Sequence, residues 1–362
     1  MFYLGTISDK KRETRMKAVC VIGHFGTGKN FLDGQTIKTK IITTELQNQL
    51  GAEHVAKYDT HGGWKILLKA PFQVLGALKN SENVLIFPAH NGVRVYAPLL
   101  CTLNRIFKRK LHYIVIGGWL PEFLDGKKHL EKALKAFDGI YVETEIMKVA
   151  LEKKGFQNIF VLPNCKELPI LPESKLVYRT APPYRLCTFS RVMKEKGIED
   201  AAKAVQTINE EAGGTVFELD IYGQIDSGQA EWFEQLKASF PEYVRYKGLV
   251  PFDKSVDVLK DYFALLFPTF YDGEGFAGTI IDSFAAGVPV IASDWKYNSE
   301  IITPHKTGLL FETKNNAALI SALKYMTQNI SEINHMKQLC LESAEKYSPQ
   351  AAIKPLIIKI EG

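Results

Sequence analysis

Residues 264–294 read ALLFPTFYDGEGFAGTIIDSFAAGVPVIASD and contain one complete supersecondary unit. An apolar run of strand length at 264–267 enters a glycine-rich loop, a helical run follows at 279–286, and a β-branched run occupies 288–292. A strand, a helix and a second strand in this order predict a βαβ unit of a buried parallel sheet. The small residues Gly275, Ala277 and Gly278 leave N–H groups at the helix start uncovered, which favours an anion such as a diphosphate.

The same alternation continues on both sides of this unit. Further strand-like runs lie at 19–23, 84–87, 113–117, 140–142, 159–162, 186–190, 217–223 and 244–248, and helical runs lie at 35–50, 65–79, 93–108, 145–154, 197–211, 230–240 and 317–326. Open parallel sheets bind ligands beyond the carboxyl ends of their strands, so two such sheets would hold a substrate in the cleft between them.

Five prolines between residues 163 and 183 interrupt the alternation and predict an interdomain linker. The fold prediction is therefore of the α/β class, with two Rossmann-like, doubly wound domains that face a central cleft. The expected boundaries are an N-terminal extension at 1–16, a first domain at 17–165, a linker at 166–183, a second domain at 184–345, and a C-terminal helix at 346–362 that can return to the first domain.

Composition and charge narrow the class of protein. The 362 residues are 46% hydrophobic and 23% charged, as in a globular protein of about two domains. The net charge of +5 is uneven, because residues 1–180 carry +11 and residues 181–362 carry −6. Five scattered cysteines without a CxxC pair indicate a reducing, cytoplasmic location and no structural zinc site. No apolar run approaches the roughly 18 residues of a membrane span, and residues 1–16 lack a secretory signal.

Residues 23–30, GHFGTGKN, nearly match the phosphate-binding sequence GxxxxGK[ST] after a strand-like run. The match fails at Asn30, because Mg²⁺ ligation in such a loop requires a Ser or Thr hydroxyl. Three interpretations stay open: a P-loop kinase or ATPase, a glycine-rich connection that needs positive φ, and a loop that approaches a ligand phosphate, with Gly34, without Mg²⁺. The third is preferred.

Two carboxylates in the opening stretch have a family-specific spacing. Glu274 and Asp282 are separated by seven residues, and AGVPVI follows at 286–291. This pattern resembles the E-x7-E signature of the retaining glycosyltransferases of family 4, which have the GT-B fold. Asp282, one methylene shorter, replaces the usual second glutamate.

Three further stretches resemble the same family in the same order. Residues 189–197, FSRVMKEKG, resemble its GR-x4-KG loop with Ser190 in place of the glycine, and LDIYG at 219–223 and YKGLV at 246–250 follow. The resemblance covers nearly all of residues 184–312. In the first half it is looser and depends on Asp33-Gly34-Gln35 at a helix start.

The resemblance implies transfer of a hexose, with retention, from a UDP- or GDP-type nucleotide sugar to a glycan or lipid-linked acceptor in polysaccharide or glycolipid biosynthesis. Arg191 and Lys196 would meet the charge of the leaving diphosphate in place of a metal, because cations preorganised at developing charge stabilise it. Glu274 would hold the sugar hydroxyls, with His90 as a further sugar contact. No cofactor or metal is expected. The donor-binding residues would be Gly34, Gly223, Leu249, Gly275, Phe276, Ala277, Gly278, Thr279 and, at the ribose, Asp282.

The acceptor is expected on the first half, where Gly118 and Trp119 follow a strand. The basic cluster at 105–110 and the lysine-flanked apolar run at 65–79 are either ordinary helix faces or a surface for anionic lipids. A location in the cytoplasm, peripheral on the inner face of the membrane, would follow from the second interpretation. Nucleic acid is not an expected partner, because the basic residues are dispersed. A non-catalytic sugar- or nucleotide-binding module is a third possible function.

Overall fold

The structure is a computed structural model that describes residues 16–28, 34–62, 66 and 68–362. The expected extension at residues 1–15, and Lys29, Asn30 and Asp33, lie outside the described residues. The described strands are β1 (Lys17–Gly23), β2 (Val55–Asp59), β3 (Ser81–Ile86), β4 (Lys110–Ile114), β5 (Gly139–Val142), β6 (Ile159–Val161), β7 (Tyr184–Phe189), β8 (Phe217–Tyr222), β9 (Val244–Gly248), β10 (Ala264–Phe267), β11 (Val290–Ser293) and β12 (Gly308–Phe311).

The described helices alternate with these strands. They are α1 (Gly34–Leu50), α2 (Ala70–Asn80), α3 (His90–Phe107), α4 (Leu120–Phe123), α5 (Lys128–Leu134), α6 (Glu145–Glu152), α7 (Ile198–Ala212), α8 (Ala230–Ala238), α9 (Ser255–Leu259), α10 (Gly278–Ala285), α11 (Asn298–Ile301), α12 (Asn316–Gln328), α13 (Ile330–Ala344), α14 (Pro349–Ala352) and α15 (Lys354–Glu361). Within the described part of the chain, none of them combines the length and apolarity needed to cross a bilayer.

Each domain is built around a parallel sheet of six strands. The strand order is β2-β1-β3-β4-β5-β6 in the first domain and β12-β11-β10-β7-β8-β9 in the second. In the first sheet, β2 lies on one side of β1 and β3 to β6 lie on the other, so a crevice opens beyond the carboxyl ends of β1 and β3. In the second sheet, β8 and β9 lie on one side of β7 and β10 to β12 on the other, so a crevice opens beyond the carboxyl ends of β7 and β10. The predicted α/β fold with two Rossmann-like domains is confirmed.

The unit β10–α10–β11 follows the sequence prediction closely. All four residues of β10 and of β11 are buried, as expected for strands covered on both faces. Helix α10 is buried along most of its length, and its apolar residues pack into the core of the second domain. Because residues 280–285 of the helix are buried, its first turn has a fixed position beside the end of β10.

Several elements differ from the sequence prediction for identifiable reasons. Edge strands β2 and β12 are not predicted, because an edge strand needs no long apolar run. Strand β4 begins three residues before the predicted 113–117, because its polar His112 is buried against the Asn83 side chain at 3.0 Å. Helix α2 begins at Ala70 rather than 65, with a proline in its first turn, and residues 63–65 and 67 are outside the described part.

Helices α14 and α15 lie against the first domain although they follow the second domain in the chain. Ile353 and Leu356 are fully buried in one cluster with Val19 and Ile42 of the first sheet and α1. The chain therefore crosses between the domains twice. The two crossings meet where the Lys166 backbone N–H donates to the Tyr347 carbonyl at 3.1 Å.

Lys337 of α13 is a lysine inside the second domain. Its side chain is fully buried, and Nζ donates to the Tyr262 carbonyl at 2.9 Å. Desolvation of the ammonium by burial lowers the pKa of Lys337 to about 8. The pKa of Lys337 is therefore lower in the folded than in the unfolded state. As pH falls from the unfolded-state pKa to the folded-state pKa, this difference lowers the free energy of unfolding more and more.

Lys337 should contribute a rise of up to about 3 kcal/mol to the free energy of unfolding between pH 8 and 10.5, because one pKa unit corresponds to about 1.4 kcal/mol. Buried thiols such as Cys187 and Cys340, whose pKa values burial raises, contribute a fall over the same range in all variants, so the lysine is read from the difference between proteins. Lys337→Met should remove this rise, whereas Lys306→Met at an exposed position should keep it. Urea unfolding of the three proteins across this pH range provides the measurement. The same change of unfolding free energy with pH in wild type and Lys337→Met would contradict the assignment.

Candidate functional site

A cleft of about 380 Å³ opens at the carboxyl edge of the second sheet, beside the point where strand order reverses. Its volume is in the range of small-molecule sites. The loops after β7, β8, β9 and β10, the start of α10 and the interdomain crossing form its wall. The lining residues are Lys166, Phe189, Ser190, Arg191, Lys196, Tyr222, Gly223, Gln224, Leu249, Val250, Phe267, Glu274, Ala277, Gly278, Thr279 and Asp282.

Lys196 and Glu274 form an ion pair in this cleft. Lys196 Nζ lies 2.5 Å from Glu274 Oε2, and Thr269 Oγ1 donates to the same oxygen at 2.8 Å. The ammonium also lies 5.3 Å from the centre of the Phe267 ring, a distance suited to a cation–π contact. The two charges are therefore held in fixed positions before any ligand binds.

The glycine after Lys196 explains why these distant segments meet. A Cβ atom at Gly197 would lie 2.2 Å from the Pro268 carbonyl oxygen, so only glycine allows this close approach. The turn that carries Lys196 thereby packs directly on the loop after β10, which carries Glu274. The KG pair and the acidic loop act as one structural unit.

Arg191 is the exposed cation of the site. Its side chain is 57% exposed, and Nη1 lies 3.7 Å from Asp226 Oδ2. The residue before it, Ser190, stands where the family signature has glycine. Its carbonyl oxygen, rather than its side chain, makes the close contact with Gly223, so serine fits at this position.

Asp282 is buried at the back of the cleft and is hydrogen-bonded on both oxygens. Oδ2 lies 2.5 Å from Lys166 Nζ, and Oδ1 accepts a hydrogen bond from Ser255 Oγ at 2.9 Å. Sequence analysis did not identify Lys166 or Ser255. Neither has a recognisable motif, and Lys166 is 116 residues from its partner in the chain.

Gly275 and Phe276 do not line the cleft, which corrects the expectation that all the amides of 275–278 face a ligand. The Phe276 N–H donates to Glu143 Oε2 at 3.1 Å, and a Cβ atom at Gly275 would lie 2.7 Å from the same oxygen. Glu143 belongs to the first domain and also accepts a hydrogen bond from Lys38 Nζ at 2.6 Å. A buried carboxylate of the protein has therefore taken this part of the loop.

One of the predicted residues of the first domain, His90, lines a second cleft of about 420 Å³. The His90 ring stacks on Trp119 with 3.9 Å between centroids. Desolvation, and then the charge of Arg94, lower the pKa of His90, which favours the neutral imidazole. Gly34 is exposed at the start of α1 and lines neither cleft.

Gly118 joins the two domains and lines neither cleft, so its place on the acceptor side stays a prediction. Its carbonyl accepts a hydrogen bond from the Tyr297 hydroxyl at 2.8 Å, and its Cα approaches the Glu274 carbonyl so closely that a Cβ would lie 2.6 Å from that oxygen. Trp119, the next residue, contacts His90. The loop 117–119 therefore connects the His90 side with the Glu274 side.

The P-loop-like segment at 23–28 binds a carboxylate of the protein itself, that of Asp59. The backbone N–H groups of Phe25 and Thr27 donate to the two carboxylate oxygens of Asp59 at 3.0 and 2.9 Å. Burial favours a raised pKa for Asp59, but these bonds, with others from the Thr27 hydroxyl and the His61 N–H, lower the pKa well below its ordinary value. Asp59 thus stays ionised and takes amides that a bound phosphate would need.

Known proteins resemble this chain both in the sequence of its second domain and in its fold. Residues 183–329 match the family model described as Glycosyl transferases group 1. Over 183 residues the chain is 28% identical to the UDP-N-acetylglucosamine–peptide N-acetylglucosaminyltransferase GtfA subunit of Streptococcus gordonii. That match covers 49% of this chain and 35% of the relative, so the chain spans about a third of that protein's length.

Two solved structures resemble nearly the whole chain. Anabaena Alr3699/HepE in complex with UDP has a TM-score of 0.72 at 11% identity, covering 96% of this chain and 100% of that one. Sucrose-phosphate synthase from Thermosynechococcus elongatus has a TM-score of 0.71 at 14% identity, covering 94% and 97%. These likenesses establish the GT-B fold. Together with the family match they support a glycosyltransferase.

Gly223→Ala tests the close approach of the loops after β7 and β8. A Cβ at Gly223 would lie 1.7 Å from the Ser190 carbonyl oxygen at a φ of 139°, whereas one at Gly213, with a φ of 64°, would meet nothing within 4 Å. We expect Gly213→Ala to cost about 1 kcal/mol and Gly223→Ala about 2–4 kcal/mol, since overpacking adds to backbone strain. Urea unfolding measures both variants, and equal losses would argue against the close approach.

Proposed function

We propose that this protein is a metal-independent glycosyltransferase that transfers a hexose, with retention, from a UDP- or GDP-type nucleotide sugar to a glycan or lipid-linked acceptor. The observation that carries the proposal is the Lys196–Glu274 pair beside the first turn of α10, in a cleft of a GT-B fold. The UDP bound to Alr3699/HepE supports a nucleotide-sugar donor. Polysaccharide or glycolipid biosynthesis is the expected setting.

The donor half of the reaction needs groups that stabilise a leaving diphosphate. As the bond between the sugar C1 and the phosphate oxygen breaks, negative charge grows on that phosphate. Lys196, Arg191 and the N-terminus of α10 are positive groups that line one cleft, and preorganised groups of this kind often supply the largest catalytic effect. They would take the place of a metal ion.

Glu274 is suited to hold the sugar of the donor. Among the described residues, both groups that donate to its carboxylate, Lys196 and Thr269, use Oε2. Oε1 is then available to accept a hydrogen bond from a sugar hydroxyl. Because Lys196 and Thr269 fix the carboxylate, that hydroxyl would be held at a defined distance from the cations.

The acceptor would approach from the first domain. Its hydroxyl oxygen forms the new bond to the sugar C1 on the face from which the diphosphate leaves, and its proton passes to the departing phosphate oxygen. The loop 117–119 contacts both His90 and the loop that carries Glu274, which supports an acceptor position in the first-domain cleft. Trp119 and His90 would contact the acceptor or the transferred sugar there.

Arg191→Ala and Lys196→Ala should each lower turnover by about 10²–10³-fold, the usual effect of losing a group that stabilises transition-state charge. A thermal-shift screen across nucleotide sugars first identifies the donor, and release of its nucleoside diphosphate then reports turnover. Lys194→Ala, at an exposed lysine of the same turn, is the matched control. Activity within threefold of wild type in both variants, with folding verified by circular dichroism, would refute the assignment.

Two other functions are distinguishable by simple binding measurements. A P-loop kinase or ATPase would bind ATP with Mg²⁺ and lose that binding in Lys29→Ala, but the Asp59 carboxylate already takes two amides of the loop. A non-catalytic module would bind a nucleotide sugar without hydrolysis or transfer. Neither outcome is expected.

The first domain also has a surface suited to an anionic membrane. Phe72 and Leu68 near the start of α2 are 77% and 67% exposed, and Ile106, toward the opposite end of the layer formed by α2 and α3, is 77% exposed. Basic residues at 69, 79, 105, 108 and 109 lie in the same elements or beside their ends. Exposed apolar side chains flanked by positive charge favour insertion among anionic headgroups. We extend the proposal to a peripheral location on the cytoplasmic face of a membrane.

Flotation with phosphatidylglycerol vesicles tests this surface. We expect wild type to float with these vesicles and not with phosphatidylcholine alone. Leu68→Ser with Phe72→Ser should reduce the bound fraction at least tenfold, since each buried side chain contributes about 1.5–3 kcal/mol. Ile358→Ser, at an exposed apolar position on α15, should bind like wild type. Failure of wild type to float would point to a soluble acceptor.

A further inference from the structure

Lys166 brings an additional cation into the cleft of the second domain. It lies in the crossing that follows β6, outside the stretches that resemble the glycosyltransferase family, and it lines the cleft together with Arg191 and Lys196. Its Nζ lies 2.5 Å from Asp282 Oδ2 and 5.0 Å from the centre of the Phe252 ring. The ammonium is therefore held in place by a carboxylate and an aromatic face.

Lys166 is the accessible member of this ion pair. Its side chain is 15% exposed, against 3% for Asp282. The second oxygen of Asp282 is already bonded to the hydroxyl of Ser255, which is itself buried. An ammonium has three N–H donors, of which the bond to Asp282 requires one. A ligand that enters the cleft therefore meets the ammonium before it meets the carboxylate.

The lysine stem crosses the first turn of α10. A Cβ atom at Gly278 would lie 2.9 Å from Lys166 Cε, so the stem rests on the helix start. Thr279 in the same turn lines the cleft, and its Oγ1 is shielded from solvent and has no hydrogen-bond partner among the described residues. A hydroxyl that no protein group engages can donate a hydrogen bond to an oxygen of a ligand in the cleft.

These observations point to an anionic ligand at one place. The helix N-terminus supplies positive potential, Lys166 supplies charge-assisted donors, and the Thr279 hydroxyl supplies a further donor. A phosphate oxygen satisfies all three, whereas a ribose hydroxyl uses at most part of this charge.

We propose that Lys166 binds a phosphate oxygen of the nucleotide sugar together with Thr279, and that Asp282 is a positioning residue that acts through Lys166. This rests on the proposed function, since it assumes a nucleotide-sugar donor in this cleft. It changes the role expected for Asp282, which the family resemblance assigns to the ribose. The short side chain of aspartate keeps its carboxylate at the back of the cleft, and the lysine extends from there to the ligand.

Calorimetry with UDP and GDP, and with uridine and guanosine, tests the phosphate contact. We expect Lys166→Met to weaken nucleoside diphosphate binding by about 10- to 100-fold, the effect of losing a charge-assisted hydrogen bond. Nucleoside binding should change less than twofold. Lys175→Met, at an exposed lysine of the same crossing, should bind like wild type. Equal weakening for nucleoside and diphosphate would assign Lys166 to the ribose and overturn the proposal.

Asp282→Asn separates a positioning role from direct contact. If Asp282 acts through Lys166, the substitution should weaken diphosphate binding about three- to tenfold in the wild-type background and less than twofold in Lys166→Met. Equal weakening in both backgrounds would mean that Asp282 touches the ligand itself. The double variant removes both charges, so it provides a folded protein even where Lys166→Met alone leaves a buried charge unpaired.

The same experiments distinguish failure of this inference from failure of the proposed function. If wild type binds no nucleoside diphosphate, the donor assignment fails. If wild type binds and Lys196→Ala weakens binding while Lys166→Met does not, the donor site stands and the role of Lys166 is refuted.

Discussion

The buried carboxylate of Glu143 holds the two domains together at the site, and the arrangement of the loop before α10 depends on its hydrogen bonds. It accepts a hydrogen bond from Lys38 Nζ within the first domain and another from the Phe276 N–H of the second. A buried charge is tolerated only with close partners, so neither contact can be lost at low cost. One face of the loop that precedes α10 is thereby fixed to the first domain, which leaves Glu274 and the start of α10 facing the cleft.

The cleft has three cations on its wall, although the half of the chain that forms most of it is acidic. Residues 181–362 carry a net charge of −6. Each cation at the cleft nevertheless has its own carboxylate, with Lys196 beside Glu274, Lys166 beside Asp282 and Arg191 near Asp226. These pairs keep the cations in place in the absence of ligand, so little reorganisation is needed when a diphosphate enters.

The sequence predicts those parts of the site that depend on local structure. Arg191, Lys196, Glu274 and Asp282 all follow strands of one parallel sheet, whose carboxyl ends meet at one edge, so their meeting is predictable. The partners from elsewhere are not predictable, because 116 residues separate Lys166 from Asp282 and 133 separate Glu143 from Phe276. The Phe276 amide is wrongly predicted for the same reason, since a carboxylate of the neighbouring domain accepts its hydrogen bond.

The return of α14 and α15 to the first sheet has a consequence for how the chain folds during synthesis. Ile353 and Leu356 complete a core whose other members, such as Val19 and Ile42, leave the ribosome first. The whole second domain is translated in between, which takes about 10–40 s at roughly 5–20 residues per second. During this interval the nascent first domain exposes an apolar face to chaperones and to neighbouring chains, and only the last helices cover it.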